Sequence, residues 1–321
     1  KFVGYPWQGT NCDSAMDLFA YQSDERNDVV VEEMAMQLGV NRKEIPLYIT
    51  GGNIMFDGKG TAMITCLTVK EHEHHDISQQ ELTKQMKELL GVDTFHVIPN
   101  FEDYGIQHID CLLKFVNEDT VLIARPPEDH HLSQRYEDIV EIVSKMKTNS
   151  GLPYRILRID VGETNVEGTK GVAAYTNSLI LNDRVFVPLF GIDTDNQALE
   201  TWRKALPGYE VKGYLYNEQM SDGNPFRSFD ALHCRTRAVW DPGMLYMTHN
   251  PLNENVSVQT GYKIDVTIKD YSSSGLVYNS LNLFWRVTGS ETWHETSLDA
   301  SSTPSIFSAH NGDVPERSKV G

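Results

Sequence analysis

The chain has 321 residues, enough for a sizeable hydrophobic core in one large domain or two. Its net charge of −17 argues against nucleic acid as the main partner, because phosphate binding needs a basic surface. No apolar run reaches the roughly 18 residues of a membrane span, and no signal peptide is visible. Four cysteines without CxxC spacing predict neither a disulfide scaffold nor a zinc knuckle.

Four strand–turn–strand patterns recur along the chain, each with Asn, Asp or Gly at a tight turn. The paired strands are predicted at residues 53–56 and 62–66, 109–116 and 121–124, 177–181 and 184–188, and 232–240 and 244–248. Their starts are roughly 55 to 70 residues apart, which is the period of a structural repeat.

Helical patterns lie between the hairpins, and an earlier helix is predicted over residues 28–38. Ser78 and Glu81 form a capping box, and a glycine that could end each helix follows at 39, 91, 151 and 208. Short strands come next, at residues 95–98, 154–157 and 209–211. The repeat is therefore ββαβ, and such units around an axis make an α/β propeller. A doubly wound open sheet is the alternative, although it lacks hairpins at this regularity.

The sequence pattern changes from Asn253 onward, where helical periodicity stops and Ser and Thr become frequent. Alternating segments at residues 262–268 and 281–287 predict strands of a β-sandwich. Only about three strands fit before the last residue, too few to close a sandwich. We therefore predict a first domain over residues 1–252 and a truncated β-sandwich module over residues 253–321.

Equivalent positions at the hairpin entries of a propeller converge on its axis. Here they are Asn53, the His108–Asp110 step, Asn177 and Cys234. Residues two apart in a strand face the same side, so His108 and Asp110 are expected to point together. A thiol, an imidazole and a carboxylate would then meet as nucleophile, general acid/base and anionic anchor. Asn53 and Asn177 would line the site or serve as loop residues.

Four segments together resemble the bacterial, Porphyromonas-type peptidylarginine deiminases, relatives of agmatine deiminases in the pentein superfamily. They are Gly51-Gly52-Asn53, Gln107-His108-Ile109-Asp110-Cys111, residues 175–182 and residues 230–236, in the family's order from about Leu18 to Pro251. The resemblance implies a pentein-type α/β propeller with four of five ββαβ blades apparent, followed by an immunoglobulin-like module. The secreted relatives carry such a module, so we expect an extracellular protein.

The resemblance also implies a mechanism on arginine-containing peptides or proteins. Cys234 would attack the guanidinium carbon, Asp110 would hold the guanidinium nitrogens, and His108 would transfer protons. Citrulline and ammonia would form without a cofactor or a metal. Agmatine deiminase, an amidinotransferase and a non-catalytic pentein-fold binding protein remain alternatives, whereas the alternation of hairpins and helices gives a papain-like protease no support.

Two departures from the family accompany the match. A second guanidinium-binding carboxylate is expected in the blade before the first hairpin, yet residues 1–7 contain no acid. We expect it upstream of Lys1, which would leave this chain short of one blade; the alternative is a degenerate copy that has lost the carboxylate. The family's substrate-carboxylate arginines are reduced to a single basic residue in Ser23-Asp24-Glu25-Arg26, which argues against a strict preference for C-terminal arginine.

Other polar clusters are expected to be structural. The run His72-Glu-His74-His75-Asp76 invites a metal assignment, but a solvated loop before a capped helix is the simpler interpretation. Residues 128–131 are interpreted in the same way, and Asn255–Ser257 is a common glycosylation sequon. His233 would point away from Cys234 along an extended strand. No metal site is predicted.

Overall fold

The chain divides into two compact units, Lys1–Ala238 and Val239–Gly321, in a computed structural model. The structure describes residues 2–4, 25–44, 46–102, 107–166, 169–216, 226–227, 230–236, 241, 243–249, 261–285 and 292–310. Among these residues, no helix is long and apolar enough to cross a membrane. The predicted boundary between residues 252 and 253 stays a prediction.

Three ββαβ units follow one another in the first unit, and each forms its own three-stranded sheet. The first contains β3 (Met55–Phe56), β4 (Thr61–Thr65), α2 (Cys66–His74), α3 (Gln79–Leu90) and β5 (Thr94–Ile98). The second contains α4 (Ile109–Leu112), β6 (Leu113–Phe115), β7 (Thr120–Arg125), α5 (Ser133–Lys145) and β8 (Arg155–Asp160). The third contains β11 (Leu179–Leu181), β12 (Arg184–Leu189), α6 (Asp195–Ala205) and β13 (Glu210–Leu215).

The same pairing recurs in each sheet: the two hairpin strands are antiparallel, and the strand after the helix lies parallel to the second of them. This confirms the predicted repeat for three of its four copies. The remaining elements of the unit are β1 (Phe2–Gly4) parallel to β2 (Arg42–Glu44), α1 (Glu25–Leu38), and the hairpin of β9 (Glu163–Val166) and β10 (Thr169–Val172).

Helix α3 shows why these segments are helical. Ser78 accepts a hydrogen bond from the Glu81 backbone N–H, and Gly91 ends the helix in the left-handed conformation at φ +70°. Leu82 and Met86, one turn apart, bury the apolar face. The prediction of glycine caps is wrong for Gly151 and Gly208, which take positive φ in turns that lie beyond the ends of α5 and α6.

Apolar side chains from the sheets and helices form two main cores in the first unit. One core joins the second and third repeats around Tyr136 and Trp202, and the other fills the first repeat around Ile64 and Leu82. These residues are fully buried. The middle strands β4 and β7 are buried on both faces, whereas β13 of the third sheet is largely exposed.

Two sequence-based assignments around these repeats are corrected. Residues 109–112 are a helical turn rather than a strand, and the Cys111 N–H donates a hydrogen bond to the His108 carbonyl. These residues are all buried, so their backbone polar groups need partners within the protein, and the turn supplies one. The run His72–Asp76 is not a solvated loop but mostly the end of α2. His72 is buried there, with Nδ1 donating to the Thr68 carbonyl at 2.7 Å and Nε2 accepting from the Tyr48 N–H at 3.1 Å.

The first half of the predicted fourth hairpin is also wrong, because Leu232–Arg235 form a turn. Residues 237–240 lie outside the described residues, so the predicted pairing of this hairpin stays a prediction. Its second strand, β14 (Leu245–His249), pairs with β15 (Lys263–Asp270). Residues 128–131 do lie in a turn, as predicted, whereas the sequon at 255–257 falls outside the described residues.

The second unit is antiparallel β structure in its described part. One sheet has the strand order β14–β15–β19–β18, with β18 at Asp299–Ala300 and β19 at Ile306–His310. A separate pair joins β16 (Asn282–Trp285) and β17 (His294–Ser297). The apolar side chains of β15 alternate inward and pack on Phe307, which gives this unit a core of its own.

Candidate active site

His108, Asp110 and Cys234 meet in the first unit, although their positions in the sequence span 127 residues. One ligating atom from each lies within 4.8 Å of the others. His108 and Asp110 are buried, while Cys234 as a residue is partly exposed. The predicted convergence is correct. Its predicted cause is not, because Asp110 lies on helical turn α4 and Cys234 lies in a turn rather than on a strand.

The loop before α4 delivers His108 and Asp110. Gln107 takes φ +53°, and its side-chain oxygen accepts the N–H groups of Phe101 and Glu102 at 3.0 and 3.1 Å. This side chain holds the strained turn in place from within the loop. Gly52 lies directly against the pair, so close that a Cβ there would come 2.8 Å from Nδ1 of His108 and 2.9 Å from Oδ2 of Asp110.

Asn177 holds the cysteine in position. Its Oδ1 accepts the backbone N–H groups of His233 and Cys234 at 2.8 and 3.2 Å, and its Nδ2 donates to Cys234 Sγ at 2.9 Å. The preceding loop is tied to α6, because Tyr175 donates to Asp195 at 2.7 Å and Trp202 donates to the Tyr175 carbonyl at 3.2 Å. The third repeat therefore presents Asn177 on a rigid base.

Asn53 is also buried, but it does not line the cluster. Its Oδ1 accepts the N–H of Thr65 at 3.2 Å and the N–H of Ile109 at 3.1 Å, and its Nδ2 donates to Thr68 at 2.9 Å. One amide thus links the first repeat to the backbone between His108 and Asp110. We therefore assign Asn53 to positioning of this backbone, rather than to the substrate contact that its place at a hairpin suggested.

His233 belongs to the site, contrary to the sequence-based expectation. Its Nδ1 lies 2.9 Å from Oδ2 of Asp110, and its side chain is 23% exposed. The expectation assumed alternating side chains along a strand, and the turn at residues 231–235 removes that assumption. Arg235 anchors this turn through an ion pair with Asp230 at 2.8 Å.

The charges of the cluster support one another. Burial by itself opposes ionisation of Asp110, but the hydrogen bond from His233 and the nearby His108 lower its pKa below the ordinary value. Burial likewise works against the charged form of His108, yet its hydrogen bond with Cys234 and the charge of Asp110 raise its pKa. The arrangement therefore favours an anionic carboxylate beside a cationic imidazole.

A second thiol, Cys111, lowers the pKa of Cys234. The hydrogen bond between the two thiols brings the pKa of Cys234 down to about 7 and, from the other side, raises that of Cys111 well above its usual range. His108 also lowers the pKa of Cys234, while burial and Asp110 oppose the effect. A substantial fraction of Cys234 is therefore thiolate at neutral pH, the nucleophilic form.

Two ionisable residues near the cluster, Glu71 and Lys114, were not predicted from the sequence. Burial raises the pKa of Glu71 to about 7, against the opposing charge of His108. Burial lowers the pKa of Lys114 to about 8, while Asp110 and Cys234 oppose that shift. Lys114 and His233 line a cavity of about 360 Å³. Only burial distinguishes either residue from an ordinary surface charge.

This fold is shared with solved deiminases. The agmatine deiminase of Enterococcus faecalis aligns over 72% of this chain and 68% of its own, with a TM-score of 0.58 at 18% sequence identity. The agmatine deiminase of C. jejuni aligns over 66% and 62%, with a TM-score of 0.54 at 18% identity. The three ββαβ units thus belong to the mixed α/β fold of the pentein-type deiminases.

The sequence model of the Porphyromonas-type peptidyl-arginine deiminases matches residues 15–238, and the chain belongs to this family. A Vibrio parahaemolyticus protein named as a candidate agmatine deiminase is 24% identical over 245 residues, 68% of this chain. The chain spans 65% of the length of that relative. The matched segment contains His108, Asp110, Asn177 and Cys234.

Proposed function

We propose that this chain carries the catalytic centre of a deiminase that hydrolyses the guanidinium of arginine in peptides or proteins to citrulline and ammonia. The observation that supports this most is the buried, ionised Asp110 beside the Cys234 thiol, whose Sγ lies 3.3 Å from Oδ2. A carboxylate there would bind a planar cation by paired hydrogen bonds and present its central carbon to the sulfur.

The chemistry would proceed in two steps. Cys234 thiolate attacks the guanidinium carbon to form a C–S bond, and His108 donates a proton to the departing ammonia. His108 then takes a proton from water, the resulting hydroxide attacks the thiouronium carbon, and the C–S bond breaks. One water is consumed, and a ureido group, ammonia and the original thiolate result. His233 would hold Asp110 in place throughout.

Agmatine is the second candidate substrate, because the Vibrio relative and the two solved deiminases described above are named for it. Lys114 argues for the peptide instead. It is a buried cation close enough to Asp110 and Cys234 to interact with both charges. If the rest of the substrate occupies the cavity that Lys114 lines, the amine of agmatine would be repelled there, whereas the neutral backbone of a peptide would not.

The test is to incubate the full-length protein with an arginine peptide and with agmatine, measuring the ureido product and ammonia. We expect the greater kcat/KM with the peptide and a loss of at least about 10³-fold in Cys234→Ala. Product formation that survives in Cys234→Ala would contradict the mechanism. A preference for agmatine in the chain without substitutions would refute the peptide assignment, and agmatine turnover that does not rise in Lys114→Met would refute the part given to Lys114. Transfer of the amidine without release of ammonia would indicate an amidinotransferase.

Architecture and location are proposed on the same basis. We infer that the three repeats are blades of a five-bladed pentein propeller, supported by their shared strand pairing. The antiparallel second unit would be an immunoglobulin-like module, and its presence supports the proposal of secretion. The second guanidinium-binding carboxylate is still expected upstream of Lys1. Residues 23 and 24 of the specificity stretch, and the side chains of residues 25 and 26, lie outside the described residues.

A further inference from the structure

Two thiols share the reaction centre, although the proposed chemistry uses only one. Cys111 and Cys234 are both free cysteines, and their thiols interact with each other. Both also lie against the same amide: Nδ2 of Asn177 is 2.9 Å from Cys234 Sγ and 3.7 Å from Cys111 Sγ. The two sulfurs also lie against the two oxygens of Asp110, at 3.3 and 3.6 Å. The two sulfurs therefore converge on the same amide and the same carboxylate.

The two thiols are unequal in ways that suit a nucleophile and a resolving thiol. Cys234 is partly exposed and carries the thiolate, whereas Cys111 is buried and stays protonated. A small oxidant would therefore react first at Cys234, because oxidation follows thiolate character and exposure. Cys66 has a different partner, since its thiol donates a hydrogen bond to Asn100 Oδ1 at 2.8 Å.

We propose that Cys111 and Cys234 form a reversible disulfide when the protein meets hydrogen peroxide, so that the reaction centre is also an oxidative modification site. The Cys234 thiolate attacks one peroxide oxygen, an S–O bond forms, the O–O bond breaks and hydroxide leaves. Cys111 sulfur then attacks the oxidised sulfur. The S–S bond forms, the S–O bond breaks, and the thiol proton leaves with the hydroxide as water. Two thiols and one peroxide give one disulfide and two waters.

The disulfide would have two consequences. It would remove the nucleophile, so any activity of this centre would stop until a dithiol restored both thiols. It would also hold Cys234 below the sulfinic acid stage, which ordinary reductants do not reverse. The geometry of the thiols carries this inference independently of which guanidine the centre hydrolyses.

The test treats the full chain with hydrogen peroxide, blocks remaining thiols with iodoacetamide and identifies the products by peptide mass spectrometry. We expect the peptides of Cys111 and Cys234 to be joined, with a loss of about 2 Da for two hydrogens, and to separate after dithiothreitol. Peptide mass is read whether or not the chain is active, so failure of the proposed function would not affect the result.

Two variants sharpen the experiment. In Cys111→Ser, Cys234 should advance to the sulfinic acid, a gain of about 32 Da that dithiothreitol does not remove. Cys66→Ser is the matched control and should give the same products as the chain without substitutions. Thermal unfolding of both variants is recorded to show that they fold. The proposal is overturned if Cys111 stays open to alkylation after Cys234 is oxidised. It is also overturned if dithiothreitol returns Cys234 to the free thiol as fully in Cys111→Ser as in the control.

Discussion

At the scale of single residues, the site depends on groups that share their hydrogen bonds. Asn177 contacts both thiols and two backbone N–H groups, and Asp110 contacts His233 and both thiols. In a buried network of this kind, removing one member leaves others without partners, which costs more than the missing bond itself. The residues around Cys234 therefore matter nearly as much as the thiol.

The ionisation of Cys234 gives a direct pH prediction. Its pKa is lowered to about 7, so thiolate is present above that pH and is lost as the pH falls through it. Alkylation of Cys234 by iodoacetamide, followed on its own peptide, should have a midpoint near pH 7. In Cys111→Ala the midpoint should move upward, because the main cause of the lowered pKa is removed. An unchanged midpoint would show that Cys111 does not stabilise the thiolate.

Gly52 predicts a steric effect on the same cluster. In Gly52→Ala the new Cβ would approach His108 and Asp110 within 3 Å, so both side chains must move. We expect kcat/KM to fall by about 10²-fold or more and the free energy of unfolding by about 1–3 kcal/mol.

Gly51 is the matched control, since a Cβ there meets nothing within 4 Å. Gly51→Ala should retain activity and stability, both measured beside Gly52→Ala. Equal losses in the two variants would mean that backbone freedom, rather than contact with the cluster, is what position 52 requires.

At the scale of elements, the repeats are joined by buried polar side chains as well as by apolar packing. Asn53 connects β4 and α2 of the first repeat to the turn that begins α4 in the second. Its Oδ1 accepts two backbone N–H groups, of Thr65 and Ile109, and the Thr65 hydroxyl. The amide sets how the first two repeats meet.

Asn53→Ala would leave two backbone N–H groups buried without an acceptor. We expect the free energy of unfolding to fall by at least about 2 kcal/mol, measured by urea denaturation. Asn149→Ala is the comparison. Asn149 also bridges the first two repeats, through the Lys59 carbonyl and Thr94, but it is exposed and should cost less than about 1 kcal/mol. Similar losses at both positions would contradict the assigned importance of burial.

At the scale of the whole molecule, charge is the dominant feature. A net charge of −17 should attract cationic substrates and raise their rate of encounter. For an arginine peptide of positive net charge, we expect kcat/KM to fall several-fold between about 20 mM and 500 mM salt, since screening shortens the reach of the field. A peptide balanced by acidic residues to zero net charge should respond much less. Equal salt dependence would assign the effect to the local site.

The sequence by itself determined the repeat and most of the site. Hairpin turns, the capping box at Ser78 and the apolar stripes are local signals, and local backbone physics decides them. Equivalent positions in the predicted repeat also placed His108, Asp110, Asn177 and Cys234 together, although Asp110 and Cys234 lie on turns rather than on the hairpin strands that the prediction assumed.

Only the tertiary structure decided which side chains the cluster contains and what each contacts. His233, Cys111, Gly52 and Lys114 acquire their significance from neighbours more than 50 residues away in the chain. Burial likewise determines the helical turn at 109–112, and the pairing with β15 places β14 in the second unit. Strand periodicity specifies faces but not partners, and the pKa of a group depends on desolvation and nearby charges that no local pattern records.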